Sequence, residues 1–305
     1  MSIRAWWREL AETRAAVRPE LQHVRRGGPS LVAQANAMFR ASEQAQPQLA
    51  RIVDDPWAAQ VVDPHLLLHA IAASRHAVPA VARELERLRI AHCTRHRTLD
   101  ELVCAALADG YRQIVIVGAG LDMRASRLAS RAPWPTTWFE VDALHTLRAK
   151  QDRLHALGAA PVQAVGFDLR HGPLGPALVK AGLQPDQPVC WVLEGLLHYL
   201  PEEAAAALAA DIGAGAAPRR VLLSCITPAM AARASAAFAG LVKLVREVPR
   251  RYDDRASLAA RFAPSHLQLS GYWEFADQVR DFVPQAAGRA IGVSQDVARL
   301  DRGMP

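Results

Sequence analysis

Residues 113–122 read QIVIVGAGLD, and this stretch decides the fold. Gln113 to Val117 is a short β-branched run, the pattern of a strand covered on both faces in a parallel sheet. It ends on Gly118-Ala119-Gly120, where the missing side chains allow a tight turn and let a ligand approach the backbone. In an open parallel sheet, ligands gather at the carboxyl ends of the strands near the switch in strand order. A dinucleotide fingerprint, G-x-G-x-x-G, needs a third glycine where Met123 stands. Asp122 would moreover oppose a pyrophosphate, so a phosphate cradle is not supported, and a lone G-x-G marks either a nucleotide site or an ordinary turn.

Outward from this strand, elements alternate. Leu121–Ser130 reads as helix, Thr137–Val141 as a second strand and Ala143–Leu157 as a second helix. Val162–Phe167, Val189–Leu193 and Arg220–Ile226 read as further strands, and Pro201-Glu202-Glu203 opens a helix that runs to about Ile212. This spacing predicts βαβ units and an open sheet flanked by helices. Before residue 109 the chain reads as helices: Ser30 caps a run from Leu31 to Glu43, Asp54-Asp55-Pro56-Trp57 leads into another, and residues 80–108 hold one or two more. After residue 226 the pattern predicts one long helix, then late strands at Leu267–Trp273 and Ala290–Val293. The expected organisation is an N-terminal helical cap over residues 1–100 and one compact α/β unit over 101–305.

Four acids fall at or just after strand ends. The second strand closes Phe139-Glu140-Val141-Asp142, with carboxylates 22 and 24 residues after Gly118. Such a carboxylate is placed to accept hydrogen bonds from two ribose hydroxyls, although polar capping of a strand end would look the same. Phe167-Asp168-Leu169 follows the third strand, where a carboxylate can read the amino group of an adenine. Glu194 follows the fourth strand in Glu194-Gly195-Leu196-Leu197-His198-Tyr199-Leu200-Pro201.

The composition restricts the function class. The 305 residues are 51% hydrophobic and 22% charged, which is globular. The net charge of +6 comes from 36 basic and 30 acidic residues. Only Lys150, Lys180 and Lys243 are lysines, and the arginines are scattered among acids, with no basic run or aromatic-basic motif. No nucleic-acid partner is therefore expected. There is no apolar run long enough for a membrane span and no leader-like N-terminus, so a cytoplasmic protein without a membrane partner is expected. Cys93, Cys104, Cys190 and Cys225 form no C-x-x-C pair and read as buried thiols of a reducing compartment. His65/His69 and His92/His96 are four apart, but neither pair carries the glutamate of H-E-x-x-H, and no metal is expected.

Taken in order, several motifs resemble the leucine carboxyl methyltransferase family, a branch of the class I S-adenosylmethionine-dependent methyltransferases. They are Pro29-Ser30-Leu31 through Phe39-Arg40-Ala41-Ser42-Glu43; Asp54-Asp55-Pro56-Trp57-Ala58; Arg95-His96-Arg97-Thr98-Leu99-Asp100; Val117 to Arg124; Phe139 to Asp142; Phe167 to Arg170; and Glu194 to Pro201. The resemblance covers about residues 30–225. It implies a Rossmann-like α/β fold, with an open, mostly parallel seven-stranded sheet flanked by helices under an N-terminal helical cap. It implies S-adenosylmethionine as the cofactor, with Gly118 and the turn through Gly120 and Asp122 against its methionine part. Glu140 or, preferably, Asp142 would hold the ribose hydroxyls, and Asp168 and Leu169 would bracket the adenine. Glu194 would face the cofactor's amino group, Arg95 its carboxylate, and Tyr199 the methyl acceptor. Departures from the family pattern are Met123 in place of a common threonine, His198 in place of a hydrophobic residue, Ala33 where eukaryotic members carry lysine, and a poorly matching C-terminal stretch.

The sulfonium methyl of such a cofactor is already activated, so the enzyme mainly aligns the acceptor and strips it of water. A carboxylate acceptor needs no base; a phenol or alcohol needs one, and His198 is the first candidate, with His171 second. The competing role for His198 is that of a ring packed on the following helix. The expected activity is thus O-methylation of a small carboxylic acid or phenol, and a homodimer is compatible with the sequence. The alternatives are an S-adenosylmethionine-binding protein without methyl transfer, catalysing a rearrangement or serving as a scaffold, and a nicotinamide-dependent oxidoreductase.

Overall fold

The computed structural model describes residues 29–66, 79–155, 162–232, 248–286 and 294–303. Its centre is a seven-stranded sheet of β1 (Gln113–Val117), β2 (Thr137–Asp142), β3 (Gln163–Gly166), β4 (Val189–Leu193), β5 (Arg219–Cys225), β6 (Gln268–Trp273) and β7 (Asp296–Arg302). The strand order is β3-β2-β1-β4-β5-β7-β6. The first five strands are parallel, and β7 runs antiparallel to both β5 and β6. The order reverses between β1 and β4, so the two glycines after β1 lie at the switch point, as the sequence predicts.

The inner strands β1, β4 and β5 are buried on both faces, with alternate residues pointing to opposite sides. Val115 and Val117 face a core of Phe139, Leu174, Leu178, Trp191, Leu208 and Leu223. Ile114 and Ile116 face Leu99, Val103 and Leu107 of a helix spanning Pro79–Ala108. This one 30-residue helix realises the breaker-free stretch 80–108 and runs through both sides of residue 100. It is α3; α1 is Leu31–Glu43 and α2 is Ala58–Val61. Ser30 caps α1 by accepting a hydrogen bond from the Ala33 amide at 3.1 Å.

Helices α4 (Arg124–Leu128), α5 (Leu144–His155), α6 (Gly175–Lys180) and α7 (Glu202–Gly213) connect the parallel strands. Beyond β5 come α8 (Pro228–Ala232), α9 (Arg255–Phe262) and α10 (Phe275–Phe282). Helix α4 begins three residues later than the sequence suggests, because Leu121-Asp122-Met123 remain in the turn and the Asp122 carboxylate accepts the Arg124 amide at 2.8 Å. The late strand expected at 267–273 is present as β6. The strand expected at Ala290–Val293 lies outside the described residues; the last described strand is β7, further along the chain. Part of the long helix expected after residue 226 also lies outside the described residues.

The N-terminal helices pack onto the switch point. Arg40 of α1 pairs with Asp55 at 2.9 Å and donates to the Leu121 carbonyl at 2.7 Å. Ala37, Val61 and Val62 close over Leu121 and Met123. Among the described residues no helix is long and apolar enough to cross a membrane.

Candidate active site at the carboxyl edge of the sheet

The turn after β1 is built by its glycines. Gly118 has φ +69 and Gly120 φ +48, in the left-handed region that side chains disfavour. A Cβ on Gly118 would stand 2.9 Å from Leu196 Cδ1, and one on Gly120 would stand 3.2 Å from the Ala33 Cβ. The turn is therefore sandwiched between the loop after β4 and helix α1. Its amides are spoken for: those of Gly118 and Ala119 donate to the Val141 carbonyl at 2.8 and 3.0 Å, and that of Gly120 donates to the Asp142 carboxylate at 2.8 Å.

A cleft of about 370 Å³ opens beside this turn, within the range of small-molecule sites. Gly118, Val141, Asp142 and Ala143 form one wall, and Phe167 to Arg170 form a second. Leu196, Tyr199, Leu200, Pro201 and Arg250 complete the lining. Of the residues singled out in the sequence, Gly118, Asp142, Asp168, Leu169 and Tyr199 line the cleft. Asp142 also accepts the Ala143 amide at 2.7 Å. Burial raises its pKa against the opposing effect of the Gly120 and Ala143 amides. Asp168 is partly exposed and held by Arg170 at 2.6 Å, a contact that keeps its carboxyl well below the usual range.

The other predicted residues lie around the cleft. Glu140 points into the interior, where Lys150 of α5 meets it at 2.8 Å; burial raises its pKa although Lys150 opposes this. Residues 140 and 142 share a side of β2, but only the terminal one reaches the cleft. Glu194, Arg95 and Asp122 belong to a buried ion network. Glu194 accepts from Arg95 at 2.8 Å, from Arg124 at 2.6 Å and from His96 at 2.9 Å. Burial alone would raise the Glu194 pKa, but Arg124, then His96 and Arg95, hold it well below the carboxylate range. Asp122 pairs with Arg124, which also contacts Asp100 at 2.7 Å.

Burial, then Arg124, lowers the His96 pKa. Arg127 Nη2 lies 2.7 Å from the His96 Nε2, and Arg124 Nη2 and a Glu194 carboxylate oxygen each lie 2.9 Å from its Nδ1. His96, Asp122 and Glu194 offer ligand atoms within 4.8 Å of one another, and the Arg124 guanidinium among them already supplies the countercharge.

His198 and Tyr199 form the short helical turn after β4, with ring centroids 4.3 Å apart. His198 is buried, its Nδ1 has no hydrogen-bond partner among the described residues, and burial followed by Arg95 pushes its pKa down to about 3. It does not line the cleft. Sequence reasoning overlooked Leu196 as the lid on Gly118, the Arg124 hub, and Arg250. Arg124 carried a signal, standing two residues after Asp122 in a turn; Arg250 carried none.

A 40% identical relative from Mycolicibacterium smegmatis, matched over 190 residues, covers 60% of this chain and 61% of its own; it is provisionally named an S-adenosyl-L-methionine-dependent methyltransferase. A relative from Frankia alni, named likewise, is 37% identical over 64% of this chain and 68% of its own. The chain thus spans about 61% of the first of these relatives. Among solved structures, a DUF574 family protein from Streptomyces avermitilis aligns with TM-score 0.59 at 16% identity, covering 90% of this chain and 98% of the other. A protein from Thermobifida fusca, provisionally described as a methyltransferase, aligns with TM-score 0.59 at 15% identity over 91% and 96%. At such identity these two speak for the fold alone. The sequence model described as leucine carboxyl methyltransferase matches residues 33–213, more than half of the chain. The chain belongs to the leucine carboxyl methyltransferase family.

Proposed function

We propose that the protein is an S-adenosylmethionine-dependent O-methyltransferase acting on a small-molecule carboxylate or hydroxyl. The observation that carries this reading is the cleft at the switch point, where Asp142 closes β2 and, with Gly118 of the turn after β1, lines the cleft. The names of the relatives support the same cofactor.

The residues fit that cofactor. Asp142 keeps lone pairs beyond its two amide contacts and can accept two ribose hydroxyls. Phe167 and Leu169 give the adenine an apolar slot, with Asp168 at its edge. Arg95 and Glu194 match the carboxylate and ammonium of an amino-acid end group. They pair with each other in this structure, so holding that end group exchanges one ion pair for two. When bound, the cofactor supplies a methyl group already activated on a sulfonium. The chain's part is then to orient the acceptor at Tyr199 and to exclude water, which Leu196, Leu200 and Pro201 can do.

Calorimetric titration with S-adenosylmethionine, S-adenosylhomocysteine and NAD tests the reading. Micromolar binding of the first two, weakened at least tenfold in Asp142→Ala, is expected, as is release of S-adenosylhomocysteine in the presence of an acceptor. Binding of NAD alone sinks the reading, and cofactor binding without turnover over a broad acceptor panel leaves a binding protein.

A further inference from the structure

We infer that Arg250 is the residue that selects the methyl acceptor, by pairing with an anionic group on it. This rests on the methyltransferase reading of the cleft and adds to it a residue and a charge.

The charged residues of the cleft lining are Asp142, Asp168, Arg170 and Arg250. Asp142 is committed to the glycine turn, and Asp168 and Arg170 neutralise each other at 2.6 Å. The Arg250 side chain has no hydrogen bond or ion pair with another described residue. Arg250 is an exposed residue of the lining, and a guanidinium is a bidentate partner for a carboxylate. The acids line the β2 and β3 side, while Arg250 stands beside Tyr199, where the acceptor is expected.

The backbone holds Arg250 there. Its amide donates to the His198 carbonyl at 2.6 Å, and the Asp253 amide donates to the Ile226 carbonyl at 2.9 Å. The segment is thereby tied to the loops after β4 and β5. Val248 and Tyr252, two residues to either side, are exposed. Residue 250 also lies outside the stretch 33–213 that the family shares, as suits a residue that distinguishes one acceptor from another.

Chemistry favours the same acceptor. In transfer to a carboxylate, one oxygen forms the O–CH3 bond as the S–CH3 bond breaks, and the electron pair stays on sulfur. The anion and the sulfonium give a neutral ester and a thioether, and no proton has to leave. A phenol would have to shed one, and both carboxylates in the lining are already engaged.

The test uses the full chain saturated with S-adenosylhomocysteine and titrated with medium-chain and aryl monocarboxylates and their primary amides. The parent is expected to bind at least one acid about tenfold more tightly than its amide, the strength of a charge-assisted hydrogen bond. Arg250→Gln should abolish that preference and Arg250→Lys retain part of it, with S-adenosylhomocysteine affinity within about twofold of the parent in both. Weakened S-adenosylhomocysteine binding in Arg250→Gln would assign Arg250 to the cofactor and overturn the inference. So would a parent that shows no preference for acids, or a preference that survives in Arg250→Gln. A parent that binds no S-adenosylhomocysteine fails the methyltransferase reading itself, and the inference falls with it.

Discussion

Gly118 carries two separate constraints, and they can be measured apart. Its φ of +69 costs a substituted residue roughly 1–2 kcal/mol, and a Cβ meets the flexible end of Leu196 at 2.9 Å. Gly118→Ala is therefore expected to lower stability by about 1–2 kcal/mol in urea unfolding and to weaken S-adenosylhomocysteine binding. Adding Leu196→Ala removes the collision but not the backbone cost, so the double variant should recover none of the φ penalty. Full recovery would mean that the collision alone makes glycine necessary. At this scale the sequence placed Gly118 and the pair Glu140 and Asp142 at strand ends, and Tyr199 only through the family motif, and of these Gly118, Asp142 and Tyr199 line the cleft. It was less legible for Glu140, Arg95 and Glu194, because their partners are not evident. Lys150 and Arg124 sit in helical stretches where a cation looks like solvated surface, yet both are buried.

The Lys150–Glu140 contact joins two elements, since Lys150 lies on α5 and Glu140 on β2. Lys150 also donates to the Asp122 carbonyl, so α5, β2 and the β1 turn share one ammonium. Removing one partner of a buried pair strands a charge, and Lys150→Met is expected to cost about 3–5 kcal/mol. Glu140→Met combined with Lys150→Met should restore much of this, read as the urea midpoint of the double against the single variant. A double variant no better than the single would show that the ammonium matters through the turn rather than through Glu140. Strands β1 to β5 could be read because they are apolar and regularly spaced, as parallel strands between helices must be. β7 could not. Its sequence DVARLDR puts charges inside a central strand, and only the fold reveals that Asp301 pairs with Arg220 at 2.7 Å and that Asp296 accepts the Tyr272 hydroxyl at 2.8 Å.

Over the whole molecule, buried ionisable groups act on stability in opposite senses as pH changes: the raised carboxyls of Glu140 and Asp142 favour lower pH, and the buried histidines favour higher pH. His92 and His198 are held neutral by burial, each with its pKa pushed down from 6.5 to about 3. Between those values the unfolded chain binds protons that the folded chain refuses, so stability falls as pH falls, by up to about 1.4 kcal/mol per unit for each group. Glu194 shifts the same way over a lower range. Its folded pKa lies well below 4.5, so the stability it contributes is complete above the ordinary carboxylate value and is lost as pH falls through its folded one. The histidine part therefore begins first, in mildly acidic solution, and the carboxylate part follows. Urea midpoints measured across this range should start to decline near about pH 6.5, well before carboxylates titrate. His96, whose pKa burial also lowers, contributes in the same sense, so His198→Phe removes one of three histidine contributions and should give a shallower slope between about pH 6.5 and 4.5. A parent whose midpoint is flat down to about pH 4.5 would mean that none of these rings is buried in neutral form, and His198 would regain its standing as a base for a phenolic acceptor.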